Sequence, residues 1–189
     1  TSQIPDFISL AEEKIHNGDA LFGLQPLRVN EMLTTTTLSV TDGAATVPAD
    51  FLAMQQARIP NAVPVQLEYL TPGDFWTWDF VTDSGVPTHY TIQGSTLRLQ
   101  PTGASEVTIS YYAKLDALSD DGDTNWLLTS HPSVYLYGAC VEGFGYVRDD
   151  AQQANMQQRF ISAVNALNGA DKEGDAADGA LVMRVRSVS

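Results

Sequence analysis

The chain has 189 residues, of which 23 are acidic and 10 are basic, so its formal net charge is -13. This balance excludes nonspecific nucleic-acid binding by the whole surface and disfavours anionic membrane surfaces. The apolar runs fall far short of the roughly 20 residues that a bilayer span needs, and no basic-plus-apolar leader is visible. We therefore expect neither a membrane span nor a signal peptide. The single cysteine, Cys140, excludes an intramolecular disulfide and a cysteine-based zinc site.

The N-terminal segment has apolar residues at helical spacing. Pro5 suits a first helical turn, and Asn17-Gly18-Asp19 is a stop signal. The pattern predicts a helix over residues 4–17 with one apolar stripe, formed by Ile4, Phe7, Ile8, Ala11 and Ile15.

From about residue 28 to 115 the apolar period changes from 3.6 to 2. This change predicts an inserted, mostly antiparallel β-domain within residues 21–128. Two hairpins are expected, one over 38–47 with an Asp-Gly turn and one over 89–99 with a Gln-Gly-Ser turn. A further strand is expected over 107–112, and residues 48–52 are expected to form a short turn or helical step.

Helical periodicity returns after a polar loop. The loop, residues 116–125, holds four Asp, but no Glu follows at the twelfth position of a calcium loop, so we expect a solvated loop. One helix is predicted from Pro132 and another from Asp149-Asp150, the second ending at Asn168-Gly169. Residues 1–20 and 129–168 are thus predicted to form a helical bundle, and the fold class is α+β.

The C-terminal end divides into two segments. Residues 169–180 are rich in Gly, Ala and Asp, which predicts a flexible linker. Residues 181–189 form an arm that either returns to the β-domain as a strand or adds to a sheet or groove of another chain. The residues of the arm that we expect to bind a partner are Leu181, Val182, Met183, Arg184, Val185, Arg186 and Val188.

No catalytic or metal-binding pattern is present in the sequence. His16, His89 and His131 are scattered and have no second ligand at metal spacing. Phosphate loops, nucleophile elbows and zinc-protease motifs are missing as well. We expect no enzyme, no catalytic residue, no cofactor and no metal.

Aromatic residues crowd one stretch between Asp74 and Asp83. Its acidic flanks argue against base stacking, which normally has Lys or Arg beside it. Two interpretations stay open: the aromatic side chains pack on the β-domain, or they form a protein interface. The candidates are Phe75, Trp76, Trp78 and Phe80.

The order and spacing of several short motifs resemble the head-to-tail adaptor (connector) proteins of tailed bacteriophages. The resemblance covers about residues 4 to 168. The motifs that carry it are FISLAEEKI at 7–15, VPADFL at 47–52, LEYLTP at 67–72, GVPTHYTIQG at 85–94, LRLQP at 97–101, ISYYAKL at 109–115, LSD at 118–120, TNWLL at 124–128 and YLYGA at 135–139.

This resemblance implies a non-enzymatic virion protein at the head–tail interface, assembled in the cytoplasm of the bacterial host. Such adaptors form a ring, usually a dodecamer, beneath the portal, dock a stopper, nozzle or tail protein, and line the channel that DNA passes without specific binding. Their helical part forms the ring body and their C-terminal arm reaches the portal. The four aromatic residues would then dock the next tail protein. The alternatives are a stopper or tail-completion connector and a carbohydrate-binding β-module of the tail, with Trp76 and Trp78 as its platform.

Overall fold

The computed structural model describes residues 3–61, 64–77, 85–120 and 122–178. The α+β fold class is confirmed, and none of the described helices is both long and apolar enough to cross a bilayer. In chain order the elements are α1 (Ile4–Asn17), a 3-10 turn (Asn30–Met32), β1 (Leu33–Ser39), β2 (Ala44–Thr46), β3 (Phe51–Ile59), β4 (Val65–Gln66), β5 (Glu68–Tyr69), α2 (Pro72–Thr77), β6 (His89–Gln93), β7 (Thr96–Gln100), β8 (Glu106–Ala113), α3 (Trp126–Ser130), α4 (Pro132–Val147) and α5 (Asp150–Asp178).

The chain divides into two compact units. A helical unit comprises Thr1–Glu31 and Leu115–Ser189, and a β-unit comprises Met32–Lys114. The β-unit comprises fewer residues than the predicted insert, which covered residues 21–128. The residues that follow α1 belong with the helices because Leu24, Leu27 and Val29 are buried and the Leu27 amide donates to the Ile15 carbonyl at 2.9 Å.

In the helical unit, α4 packs against both α1 and α5. The backbones approach closely at Gly138, which lies against Ala11 and the ring of Phe160. An ion pair joins Lys14 on α1 to Glu142 on α4 at 2.5 Å. The core of this unit is formed by apolar residues from every helix, among them Ala11, Ile15, Leu127, Val134, Val141, Phe160 and Val164.

The prediction of a flexible linker over residues 169–180 is wrong as far as Asp178, because α5 continues to that residue. Gly169 costs a helix only about 1 kcal/mol, and the Ala, Lys and Glu that follow are good helix formers. Asn168 lies within the helix, and its side chain holds the segment between α1 and β1. Its Oδ1 accepts from the Arg28 amide at 2.9 Å and its Nδ2 donates to the Pro26 carbonyl at 3.1 Å.

The β-unit consists of two four-stranded sheets, ordered β1-β8-β3-β4 and β2-β7-β6-β5. All pairs are antiparallel except β5 with β6. The two sheets share one core. It takes alternate residues of β8 on one side, Val107, Ile109 and Tyr111, and Tyr90, Leu97 and Leu99 of β6 and β7 on the other. The predicted 89–99 hairpin and the predicted strand over 107–112 are confirmed as β6–β7 and β8.

The predicted hairpin over residues 38–47 is wrong beyond its turn. Asp42 and Gly43 adopt positive φ, and Thr41 bridges Ala44, so the tight turn forms. The flanking strands then part, since β1 pairs with β8 and β2 pairs with β7. At this turn the chain crosses from the first sheet to the second.

The strand β3 was not predicted, and the turn or helical step expected over residues 48–52 is wrong where Phe51 begins that strand. The pairing of β3 with β8 shifts register twice, between Phe51 and Ala53 and between Met54 and Gln56. Each irregularity inserts a residue and inverts the inward and outward alternation. Consequently β3 lacks the period-2 pattern that identifies a strand.

Candidate functional site

The aromatic stretch begins with α2, a short helix over the second sheet. The side chain of Thr71 starts it: its hydroxyl donates to Asp74 Oδ2 at 2.6 Å and accepts from the Asp74 amide at 3.3 Å. This reciprocal arrangement caps the helix N-terminus. The helix packs against β6, on the side of the sheet opposite the shared core, where Thr91 is fully buried.

The two described aromatic residues of α2 have opposite environments. Phe75 is 2% exposed and packs beneath the helix, whereas Trp76 is 60% exposed. The guanidinium of Arg98 lies over the Trp76 ring, 5.5 Å from its centroid. Phe75 therefore fills an apolar site in the β-unit and offers no surface for docking, in contrast to its predicted role. Trp76 stays available to a partner, and Trp78 and Phe80 lie outside the described residues.

The seven predicted partner-binding residues of the arm, Leu181 to Val188, also lie outside the described residues. The described part of α5 ends at Asp178. Of the range predicted as a linker, residues 169–178 therefore belong to a helix, and residues 179 and 180 lie outside the described residues.

The three histidines occupy separate places in the fold. His16 Nε2 accepts from the Leu115 amide at 3.1 Å. His89 Nδ1 lies 2.8 Å from the Thr88 hydroxyl, and His131 lies between α3 and α4. Within the described ranges, no group of three or more His, Cys, Asp or Glu is arranged to hold a metal ion.

A buried polar cluster in the helical unit was missed by the sequence analysis. Glu12 Oε1 accepts from the Tyr135 hydroxyl and from the Leu118 amide, each at 3.2 Å. The amide nitrogen of Asn125 donates to the Tyr135 oxygen at 2.7 Å, while Asn125 Oδ1 accepts from the Leu128 amide at the start of α3. The cluster thereby connects α1, α4 and the segment that enters α3.

Burial changes the proton affinity of this cluster. It raises the pKa of the Glu12 carboxyl above the ordinary value of 4.5, against the opposing effect of the hydrogen bonds from Leu118 and Tyr135. Burial also raises the pKa of Tyr135, with the hydrogen bond from Asn125 opposing and the Glu12 charge adding. One signal was readable in the sequence: Glu12 follows Ala11 on the same stripe as Ile8 and Ile15, at positions i, i+3, i+4 and i+7.

A search of curated proteins found no match. A family model described as SU10 adaptor protein matches residues 1–184 and so spans both units. The chain therefore belongs to the SU10 adaptor protein family, a family of phage head-to-tail adaptors.

Proposed function

We propose that this chain forms a ring beneath the portal of a tailed phage, joins the DNA-filled head to the tail and lines the channel that DNA passes. The observation that carries the proposal is the family match over residues 1–184, which includes the helical unit, the β-unit and the first residues of the arm. The role is structural and needs no reaction chemistry. The protein would reside in the virion at the head–tail interface after assembly in the host cytoplasm.

The charge of the chain suits a channel lining. Each copy carries a formal net charge of -13. In a ring the acidic residues of many copies repel the phosphates of passing DNA, so that DNA slides without being held. A dodecamer, the usual state of such adaptors, would place twelve acidic chains around one duplex.

The arm is proposed to attach the ring to the portal. Its alternating apolar residues allow it to add to a strand or groove of the portal, where main-chain hydrogen bonds provide affinity. Arg184 and Arg186 would meet acidic groups of the portal. Two arginines in a chain that is otherwise strongly acidic support a role of the arm in binding an acidic partner.

The next tail component is proposed to dock on the β-unit at Trp76, together with Trp78 and Phe80. A tryptophan that is exposed on one side and supported by Arg98 on the other is a suitable anchor for a protein interface. A stopper or tail-completion role remains the second candidate, since it uses the same surfaces with different neighbours. The carbohydrate-module alternative loses support from the adaptor family match.

A pull-down with the purified portal of the same phage tests the attachment. Three chains are compared: the full chain, a chain ending at Asp178, and the full chain with Arg184→Glu and Arg186→Glu. The exposed Lys172→Glu variant serves as the charge control. We expect the full chain and the control to bind, and the other two to bind at least tenfold more weakly.

The remaining outcomes separate the candidate roles. Equal binding by all the chains would leave the adaptor role standing and remove the arm from the portal contact. A full chain that ignores the portal but binds a ring of a different adaptor, or the tail, would instead identify it as a stopper.

A further inference from the structure

A short loop of the helical unit presents two large apolar side chains to solvent. It follows α1 and runs from Asp19 to Leu24; we name it the knob. Leu21 at its tip is 90% exposed, and its neighbour Phe22 is also exposed. Part of the Phe22 ring lines a small cavity with Leu24, Val141 and Phe160, whereas its exposed part lies beside Leu21 at the loop tip. Adjacent exposed apolar side chains of this kind favour an interface with another surface.

The knob is held in one conformation by its own backbone. The Asp19 amide donates to the Leu24 carbonyl, and the Leu24 amide donates back to the Asp19 carbonyl, both at 2.9 Å. Asp19 Oδ1 accepts from the Leu21 amide at 3.1 Å. Gly18 and Gly23 take the positive φ values, 73° and 72°, that a closed loop requires. Such a loop loses little conformational entropy on binding, which favours an interface.

A second exposed apolar surface lies where α1 begins and α4 ends. The ring of Tyr146 packs on that of Phe7 at 5.8 Å between centroids, and Gln3 Nε2 donates to the Tyr146 hydroxyl at 2.9 Å. Tyr146 and Val147 are 61% and 64% exposed, and Ile4 is exposed one turn from Phe7. We name this surface, formed by Ile4, Phe7, Tyr146 and Val147, the α1/α4 patch.

The knob and the patch lie at opposite ends of α1. The helix has 14 residues, so they are separated by about 20 Å along its axis. Neither surface can cover the other within one chain. Two copies packed head to tail bring one knob onto one patch, and every copy of a closed ring then covers both. A portal or tail protein seated on either surface would leave the other exposed.

Charges beside the two surfaces favour the same pairing. Asp19 lies at the base of the knob, and Arg148 follows directly after the patch, exposed and in neither of the ion pairs found in the described part of the chain. Asp149 and Asp150, which follow Arg148 in the sequence, lie at the N-terminus of α5, where Asp149 accepts from the Gln152 amide and the helix dipole offsets their negative charge.

We infer that the knob of one copy packs on the α1/α4 patch of the next, and that this heterologous contact closes the ring. The inference rests on the ring of the proposed function and adds its subunit interface. Leu21 and Phe22 enter beside Tyr146 and Val147, with Asp19 facing Arg148 of the neighbouring copy.

Mixing two defective chains tests the contact. A knob variant carries Leu21→Ser and Phe22→Ser, and a patch variant carries Tyr146→Ser and Val147→Asp. Native mass spectrometry is recorded for each chain alone and with portal. We expect the wild type to assemble into rings and each variant alone to stay monomeric. An equimolar mixture should stop at heterodimers, because each pair retains one intact knob and one intact patch. The control is Leu136→Ser, which removes an equally exposed apolar residue of α4 outside both surfaces and should assemble as the wild type does.

The heterodimer is a signal that misfolded variants cannot give. Variants that form rings as readily as the wild type would overturn the contact and leave the proposed ring intact. A knob variant that forms rings but no longer binds the portal would also overturn the proposed contact, because the portal would then be the partner of the knob. If a chain that lacks residues 179–189 no longer forms rings, the patch would be assigned to the arm instead. If the wild type assembles through this contact but does not bind the portal, the proposed function would be contradicted and the inferred contact would stand.

Discussion

The carboxylate of Glu12 connects three segments of the helical unit through a single oxygen. It receives hydrogen bonds from a tyrosine of α4 and from the backbone amide of Leu118. Because burial raises its pKa, the folded chain holds the Glu12 proton more tightly than the unfolded chain does. The resulting stability is fully present below the ordinary pKa of 4.5 and is lost as the pH rises through the raised pKa.

Replacing Glu12 by Gln should remove this pH dependence. The amide oxygen can still accept from Leu118 and Tyr135, and it carries no charge that burial would disfavour. We expect the free energy of unfolding of the wild type, relative to that of Glu12→Gln, to fall as the pH rises above 4.5 and to level off once the pH has passed the raised pKa of Glu12. Urea denaturation at several pH values measures this difference, in which all other titrating groups cancel. A difference that does not change with pH would contradict the assignment.

Removing the carboxyl altogether should be costlier. Glu12→Ala leaves the Leu118 amide and the Tyr135 hydroxyl without their acceptor inside the protein, which destabilises by about 1–3 kcal/mol. The exposed neighbour Glu13 is the matched control, and Glu13→Ala should change stability by no more than about 0.5 kcal/mol.

The adjacent aromatic residues of α2 should respond differently to truncation. Phe75→Ala removes a fully packed ring and should cost about 3–5 kcal/mol of unfolding free energy. Trp76→Ala loses an exposed ring, its edge-on contact with the Phe75 ring and its contact with Arg98, the last of which is worth about 0.5–1 kcal/mol. Thermal denaturation measures the first effect. Binding of Trp76→Ala to the next tail component should weaken at least tenfold; unchanged binding would remove Trp76 from the docking surface.

Sequence reasoning identified this aromatic stretch but could not assign its members. Consecutive residues of a helix point about 100° apart, so Phe75 and Trp76 cannot share an environment. Which of them turns inward depends on where α2 meets the sheet, and that is set by tertiary packing. Glu12 was overlooked for a different reason: the stripe of α1 was defined by its apolar residues alone, although the position of Glu12 places it on the same buried face.

At the scale of elements, two glycines of α4 have different surroundings, and the close packing of this helix requires only the first of them. A Cβ at Gly138 would come within 2.8 Å of Ala11 and 3.1 Å of the Phe160 ring, whereas one at Gly143 would be 3.8 Å from Phe7. Gly138→Ala should therefore destabilise the chain by about 1–3 kcal/mol, since three helices have to shift.

Gly143→Ala is the control in the same helix. It fits without a clash and should be neutral or raise stability by up to about 1 kcal/mol, because alanine is the better helix former. Urea denaturation of both variants measures the contrast. Equal effects would mean that helix propensity, and not the approach of α1 and α5, decides the cost.

The elements that were predicted correctly are those whose pattern is local. The stripe of α1, the apolar face of α4 and the turn between β6 and β7 each lie within one short segment. Two of the errors have different causes. The strand β3 is irregular because of its bulges against β8, which are non-local. The segment after Asn168 stays helical because its Ala, Lys and Glu outweigh its Gly and Asp residues. The 38–47 turn gave no sign that its strands join different sheets.

At the scale of the whole molecule, family membership was the firmest result of the sequence, since it depends on the order of many weak motifs. The match over residues 1–184 confirms that order. Surfaces such as the knob could not be found in this way. Leu21 and Phe22 resemble core residues in the sequence, and only the hydrogen-bonded loop places them in solvent.

The most direct test of the proposed function is a cryo-electron microscopy map of the purified portal mixed with an excess of this chain. We expect a second ring of density beneath the portal, with an open central channel. The helical units of adjacent copies should contact one another in this ring. A portal that carries no added ring at saturating concentrations of the chain would contradict the proposal that this protein is a portal-bound adaptor.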